Sequence, residues 1–174
     1  ALVPKPLAIP GAYENAKFAY TQASEHNPSS PEPHLLLAQL EVANENLDLA
    51  RNYIREALIL KEDYADAYVL LARIEVQDKN IKGAIASTET LAQIDHDNPA
   101  VYLELGILKS NDADSAGAIE AFSKALELLP DYANAKYYLA LELEKVGRKA
   151  EAKERLQELL ATNPDSVEIK QALE

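Results

Sequence analysis

Residues 102–130 read YLELGILKSNDADSAGAIEAFSKALELLP, and their apolar positions recur at helical spacing on either side of a polar turn. Tyr102, Leu105 and Gly106 fall on one face of the first segment, and Ala118, Phe122 and Ala125 on one face of the second. Pro130 stops the second segment, because proline has no N–H to continue the helical ladder. The stretch therefore predicts a helical hairpin.

The hairpin repeats. A step of 34 residues from Ala118 lands on Ala84, Ala50 and Ala16 in one direction and on Ala152 in the other. A small side chain is required where two antiparallel helices cross closely. Other columns keep the same step: Leu37, Leu71, Leu105 and Leu139; Ala38, Ala72, Gly106 and Ala140; Tyr20, Ile54, Phe122 and Leu156; Pro28, Pro130 and Pro164. This pattern resembles the tetratricopeptide repeat, W-x-x-L-G-x-x-Y followed by A-x-x-x-F and then Pro. Tyr102 stands for the Trp, and Lys109 stands where the second aromatic belongs. The resemblance implies an all-α fold, a right-handed α-α superhelix (solenoid) of stacked hairpins whose first helices line a concave face.

The frame divides the chain into a half repeat at 11–30, repeats at 31–64, 65–98, 99–132 and 133–166, and a terminal helix at 167–174 that caps the array or opens another repeat. Helices are expected near 11–26, 32–43, 47–60, 65–77, 81–94, 133–146, 149–161 and 167–173. Thr88 occupies a column of large apolar residues, which predicts looser packing there unless Ile85, Leu91 and Ile94 compensate. Gly147 suits the left-handed conformation that ends a helix. Residues 1–10, ALVPKPLAIP, fall outside the frame, and three prolines favour an extended conformation. This apolar segment is either a linker or a strap that docks on the groove or over the open face of the first helix. A repeat without its first helix points to a piece of a larger chain, or to another element covering that face.

The family's groove positions are the second, fifth, ninth and twelfth of each repeat. On this chain the second-position residues are Glu32, Asp66, Ala100 and Asn134; the fifth, Leu35, Val69, Leu103 and Tyr137; the ninth, Gln39, Arg73, Ile107 and Leu141; the twelfth, Val42, Val76, Ser110 and Glu144. These columns are rich in apolar groups, as an interaction site would be; alternatively, some of the residues pack between neighbouring first helices. Tyr137 and Tyr138 are the candidate aromatic anchors, since Tyr offers large area with few torsions to freeze. Arg73 is the one basic residue of the four columns, available for a ligand carboxylate or carbonyl or for Asp66 or Glu75. Co-chaperone members of the family clamp an acidic C-terminal tail with Lys, Asn and Arg. Leu35, Gln39, Val69, Arg73 and Leu103 on the corresponding helices do not reproduce that clamp.

Composition narrows the function. Net charge is −12, from 29 acidic and 17 basic residues, which disfavours nucleic acid and anionic membranes. No apolar run is long enough to span a bilayer. There is no Cys, hence no disulfide or thiolate site. His26, His34 and His96 are not spaced as metal ligands; His34 lies in the Trp column and is expected to pack. Residues 95–98 and 111–114 are acidic turns without the Gly and terminal Glu of a calcium loop, and are read as helix caps. No phosphate loop or nucleophile motif is present. The expected function is a non-enzymatic scaffold, without cofactor, that binds a peptide or helix of a protein partner. The alternatives are a self-associating array joined through its ends or its N-terminal segment, and a regulatory part of a larger bacterial protein, whether or not that protein is anchored in a membrane. The compartment stays open, the cytoplasm being the first expectation.

Overall fold

A computed structural model describes residues 11–173, so the extended segment expected over residues 1–10 lies outside the described residues. The described residues form ten helices: α1 Ala12–His26, α2 Glu32–Ala43, α3 Leu47–Leu60, α4 Ala65–Gln77, α5 Ile81–Ile94, α6 Pro99–Asn111, α7 Ser115–Leu128, α8 Ala133–Lys145, α9 Lys149–Thr162 and α10 Val167–Ala172. Every expected helix forms, with bounds that differ from the sequence reading by at most one residue.

The chain divides within α4 into two compact units, one ending at Ile74 and one beginning at Glu75. In the first, α2 pairs with α3 and α1 lies against α2. Its core gathers Leu35, Ala38, Ala50, Ile54, Ala67, Leu70 and Ile74. In the second, α6 pairs with α7 and α8 with α9, while α5 packs on α6, α7 on α8, and α10 on α9. Its core gathers Ala118, Phe122, Leu139, Ala140, Leu143, Ala152, Leu156, Leu159 and Ile169.

Each hairpin turns in the same way. The amides of Asn46, Asn80, Asp114 and Arg148 donate to the carbonyls of Glu41, Glu75, Lys109 and Leu143 at 2.9, 2.8, 2.9 and 2.8 Å. The residue before each donor is left-handed: Glu45, Lys79, Ala113 and Gly147, with φ of 64, 60, 63 and 82°. This six-to-one closure satisfies carbonyls that the helix end leaves open. The next helix is then capped by a side chain where one is available. Asn80 accepts from Gly83 N at 3.2 Å, Asp114 from Gly117 N at 2.9 Å and Asn98 from Ala100 N at 3.0 Å. The two acidic turns, 95–98 and 111–114, thus each contribute a helix cap.

The tightest crossing is between α6 and α7. A methyl placed on Gly106 would fall well inside contact distance of the Phe122 ring, and Phe122 is fully buried. The largest buried side chain of its column therefore faces the smallest of the other. Thr88, where looser packing was expected, is also fully buried. Its hydroxyl donates to the Ala84 carbonyl at 2.9 Å, which satisfies the group that burial would otherwise penalise.

Two carboxylates are buried deeply. Glu41 accepts from Tyr13 Oη at 2.8 Å, Lys17 Nζ at 3.0 Å and Asn46 Nδ2 at 2.8 Å. Glu142 accepts from the Ser110 hydroxyl, and from Lys145 Nζ at 2.5 Å. Burial pushes both carboxyls up, but the hydrogen bonds and cations outweigh it and hold both below their ordinary value of 4.5. Lys17 is correspondingly raised by its bonds to Tyr13 and Glu41.

Two outcomes are expected. Gly106→Ala costs about 1–3 kcal/mol by overpacking, and most of that cost disappears when Phe122→Leu is added. Urea unfolding of the two single variants and the double variant measures the coupling, and additive effects would contradict the crossing described. A depressed carboxyl contributes stability that is complete above its unfolded value and lost as pH falls towards the folded one. Thermal midpoints should therefore hold steady above pH 4.5 and fall below it. Glu41→Gln should lower the midpoint at pH 7 and flatten the acid-side fall.

Candidate protein-interaction face

The first helix of each hairpin carries the candidate residues, and the two units present different surfaces. In the first unit, Leu35 on α2 is only 5% exposed and belongs to the core; it is not the surface residue that its column predicts. Alpha-2 packs on both of its neighbours in sequence, α1 and α3, so the fifth position of this repeat faces inward. Gln39 and Arg73 are exposed, and Val69 is 51% exposed. Leu36, one position beyond the expected column, is 38% exposed. The run Leu35-Leu36-Leu37 blurs the helical period, so nothing in the spacing tells which of the three turns outward.

In the second unit Val76, at its start, is 42% exposed, and the other apolar candidates lie on neighbouring first helices. Leu103 and Ile107 on α6 are half-buried and one turn apart, as are Tyr137 and Leu141 on α8. Leu103, Ile107 and Tyr137 each rest one side on the core below, so each is fixed in place and still partly open. Tyr138 is 38% exposed. Its ring stacks on Phe122 at 5.8 Å and meets Tyr137 edge-on at 5.8 Å, which makes it a brace for Tyr137 more than a separate anchor. At one end of this face Ser110 donates to the buried Glu142 and accepts from Lys145 at 3.2 Å. A polar cluster thereby closes the apolar stripe. Tyr137 also lines a recess of about 210 Å³ with Asn134, Asn163, Glu168 and Ile169.

The chemistry available here is that of contact. Among the described residues no group of three or more His, Asp or Glu side chains is placed to hold a metal. His34, half-buried, approaches Glu56 Oε2 at 3.0 Å, and His96 approaches its neighbour Asp97 at 2.8 Å. Among the described residues no helix is long and apolar enough to cross a membrane.

Comparison with known proteins agrees with this architecture. The tetratricopeptide repeat model matches residues 7–58, 41–105 and 108–174. No curated protein matches the chain in sequence. Solved structures do match in fold. A structure of YrrB, described as "a TPR protein with an unusual peptide-binding site", superposes with a TM-score of 0.77 at 22% identity over 91% of this chain and 81% of that one. MamA superposes with a TM-score of 0.74 at 21% identity over 88% of this chain and 90% of that one. The Cut9–Hcn1 hetero-tetramer gives 0.64 at 21% identity, over 94% of this chain and 33% of that one. Identities this low bear on the fold alone, but the family model covers most of the sequence: the chain belongs to the tetratricopeptide repeat family.

Proposed function

We propose that this protein is a non-catalytic scaffold that binds an apolar peptide or helix of another protein along the faces of its first helices. The observation that carries the reading is the stripe of Leu103, Ile107, Tyr137 and Leu141, half-buried at one-turn spacing on two helices of one unit. A helix kept only for solubility would place charge at those positions. Residues anchored from below and open above lose little side-chain entropy when a ligand covers them, which favours binding. An amphipathic segment with apolar groups one turn apart is the complementary ligand. Val69 gives the first unit a smaller apolar patch of the same kind, with Gln39 and Arg73 as the polar members of the ninth-position column. The peptide-binding description of YrrB lends this reading a precedent in the fold.

Self-association is the second reading, and α1 favours it. Ala16, Tyr20 and Ala23 occupy columns whose other members are core residues, yet α1 buries none of its residues fully.

Peptides selected from a random library against the wild-type protein test the proposal. Binding should weaken at least tenfold in a Leu103→Glu, Tyr137→Glu double variant and stay unchanged in Glu120→Lys, on the other helix of the hairpin. Equal affinity for the wild type and the double variant would sink the proposal. Light scattering across concentrations separates the second reading: a mass that grows with concentration and reverts in Tyr20→Glu would support self-association.

A further inference from the structure

We propose a second binding site, independent of the first-helix stripe: a cleft on α7, α8 and α9 that accepts a tryptophan or tyrosine side chain of a partner protein. The cleft measures about 480 Å³ and is lined by Leu126, Pro130 and Leu139 with Lys136, Arg155 and Glu158 among its polar walls. Its origin is visible in the repeat. The fourth position of successive repeats holds His34, Tyr68, Tyr102 and then Lys136, so three rings are followed by a lysine. One repeat earlier a recess of about 390 Å³ on α6 and α7 shares part of this lining, with Tyr102, Leu105, Ala121 and Lys124 at the positions of Lys136, Leu139, Arg155 and Glu158. There the Tyr102 hydroxyl reaches across to the Ala92 carbonyl near the end of α5, at 3.4 Å.

Advanced by 34 residues, Ala92 becomes Leu126, and no ring comes to meet it. Lys136 turns instead towards Asp131 at 3.3 Å and Glu158 at 4.0 Å. The cleft thus keeps an apolar floor, with Leu139 only 6% exposed and Leu126 packed against the core. It also keeps an acceptor. Pro130 has no N–H to give the Leu126 carbonyl four residues before it, so an indole N–H or phenol O–H entering the cleft finds the partner that Tyr102 finds at Ala92. Lys136 and Arg155, each ion-paired with Glu158, stand at the wall, where an aromatic face attracts a cation. An aliphatic side chain would fill the floor but leave both features unused.

The probe is N-acetyl-tryptophanamide, with N-acetyl-leucinamide as its aliphatic counterpart, titrated into the isotopically labelled protein by NMR. The expected result is saturable shifts at the amides of Leu126, Lys136, Leu139 and Arg155 with the indole compound, with a dissociation constant on the order of 1 mM, and none with the leucine compound. Lys136→Trp should fill the cleft from within. It should abolish those shifts, raise Tm by about 2–4 °C, and show blue-shifted emission from what becomes the chain's sole tryptophan. Lys136→Tyr, which copies Tyr102 into the next repeat, serves if the larger ring disturbs the fold. Absent shifts in the wild type, equal shifts with the leucine compound, shifts that survive Lys136→Trp, or a lowered Tm in both variants would each overturn the proposal.

Discussion

The fold depends on how closely the two helices of a hairpin can approach. At each crossing a small residue lets the partner helix come near enough to bury a larger one, and the sizes on the two sides are matched. Ala38 is paired in its repeat with Ile54, Ala140 with Leu156, and Gly106 with Phe122. The last pair takes the principle furthest, since the space above Gly106 is the space the Phe122 ring occupies. Interiors packed at this density do not absorb an extra methyl without shifting backbone or rotamer. The 34-residue step follows from the same constraint. A hairpin alone leaves apolar surface on two sides, so each crossing is stable only when the next hairpin repeats it.

Buried charge adds a second layer of order at the turns. Glu41 and Glu75 occupy the same repeat position, and each accepts from the asparagine five residues on, Asn46 at 2.8 Å and Asn80 at 2.7 Å. The side-chain bond runs alongside the backbone closure between the same residue pairs, so the two lock one turn together. Alpha-1 adds Tyr13 and Lys17 to the Glu41 cluster, which ties the half repeat to the first whole hairpin. Later repeats keep the turn and change the chemistry. Lys109 stands in the glutamate column and pairs with Glu89 at 2.9 Å, Leu143 follows it in that column, and the buried carboxylate moves one position earlier to Glu142. A buried carboxylate stabilises most when its partners are complete: Glu41 and Glu75 find donors at a helix end or on a neighbouring helix, whereas Glu142 is bonded through Oε1 and its Oε2 has no hydrogen-bond partner among the described residues.

Helix bounds, turns and crossing columns were legible in the sequence because each depends on local spacing. Gly147 at its positive φ was legible for the same reason; Glu45, Lys79 and Ala113 adopt the same conformation without advertising it. The buried glutamates were not legible, since a glutamate on an amphipathic helix reads as a solvated charge until the neighbouring helix is in place. The candidate face was legible only in part. Leu35 and Val69 share a column, yet one is core and the other half exposed. Leu35 turns into the unit in which α1 and α3 both pack on α2, and a register carries no information about that. Thr88 is buried in its column despite its polarity because its hydroxyl bonds back to the Ala84 carbonyl of the preceding turn.

Tolerance in each column follows from how many neighbours its side chain must satisfy. The crossing columns hold only Ala and Gly, because the opposing helix limits the available space. The fourth position admits His, Tyr and Lys, since one edge of that side chain always faces water and the long stem of Lys136 can lie along the cleft with its charge at the rim. Functional change is therefore easiest where burial is half complete, on the first-helix stripe and in the outer cleft, and hardest at the crossings. A scaffold built this way can alter what it binds by substitution at its half-buried positions while the 34-residue step that holds it together stays fixed.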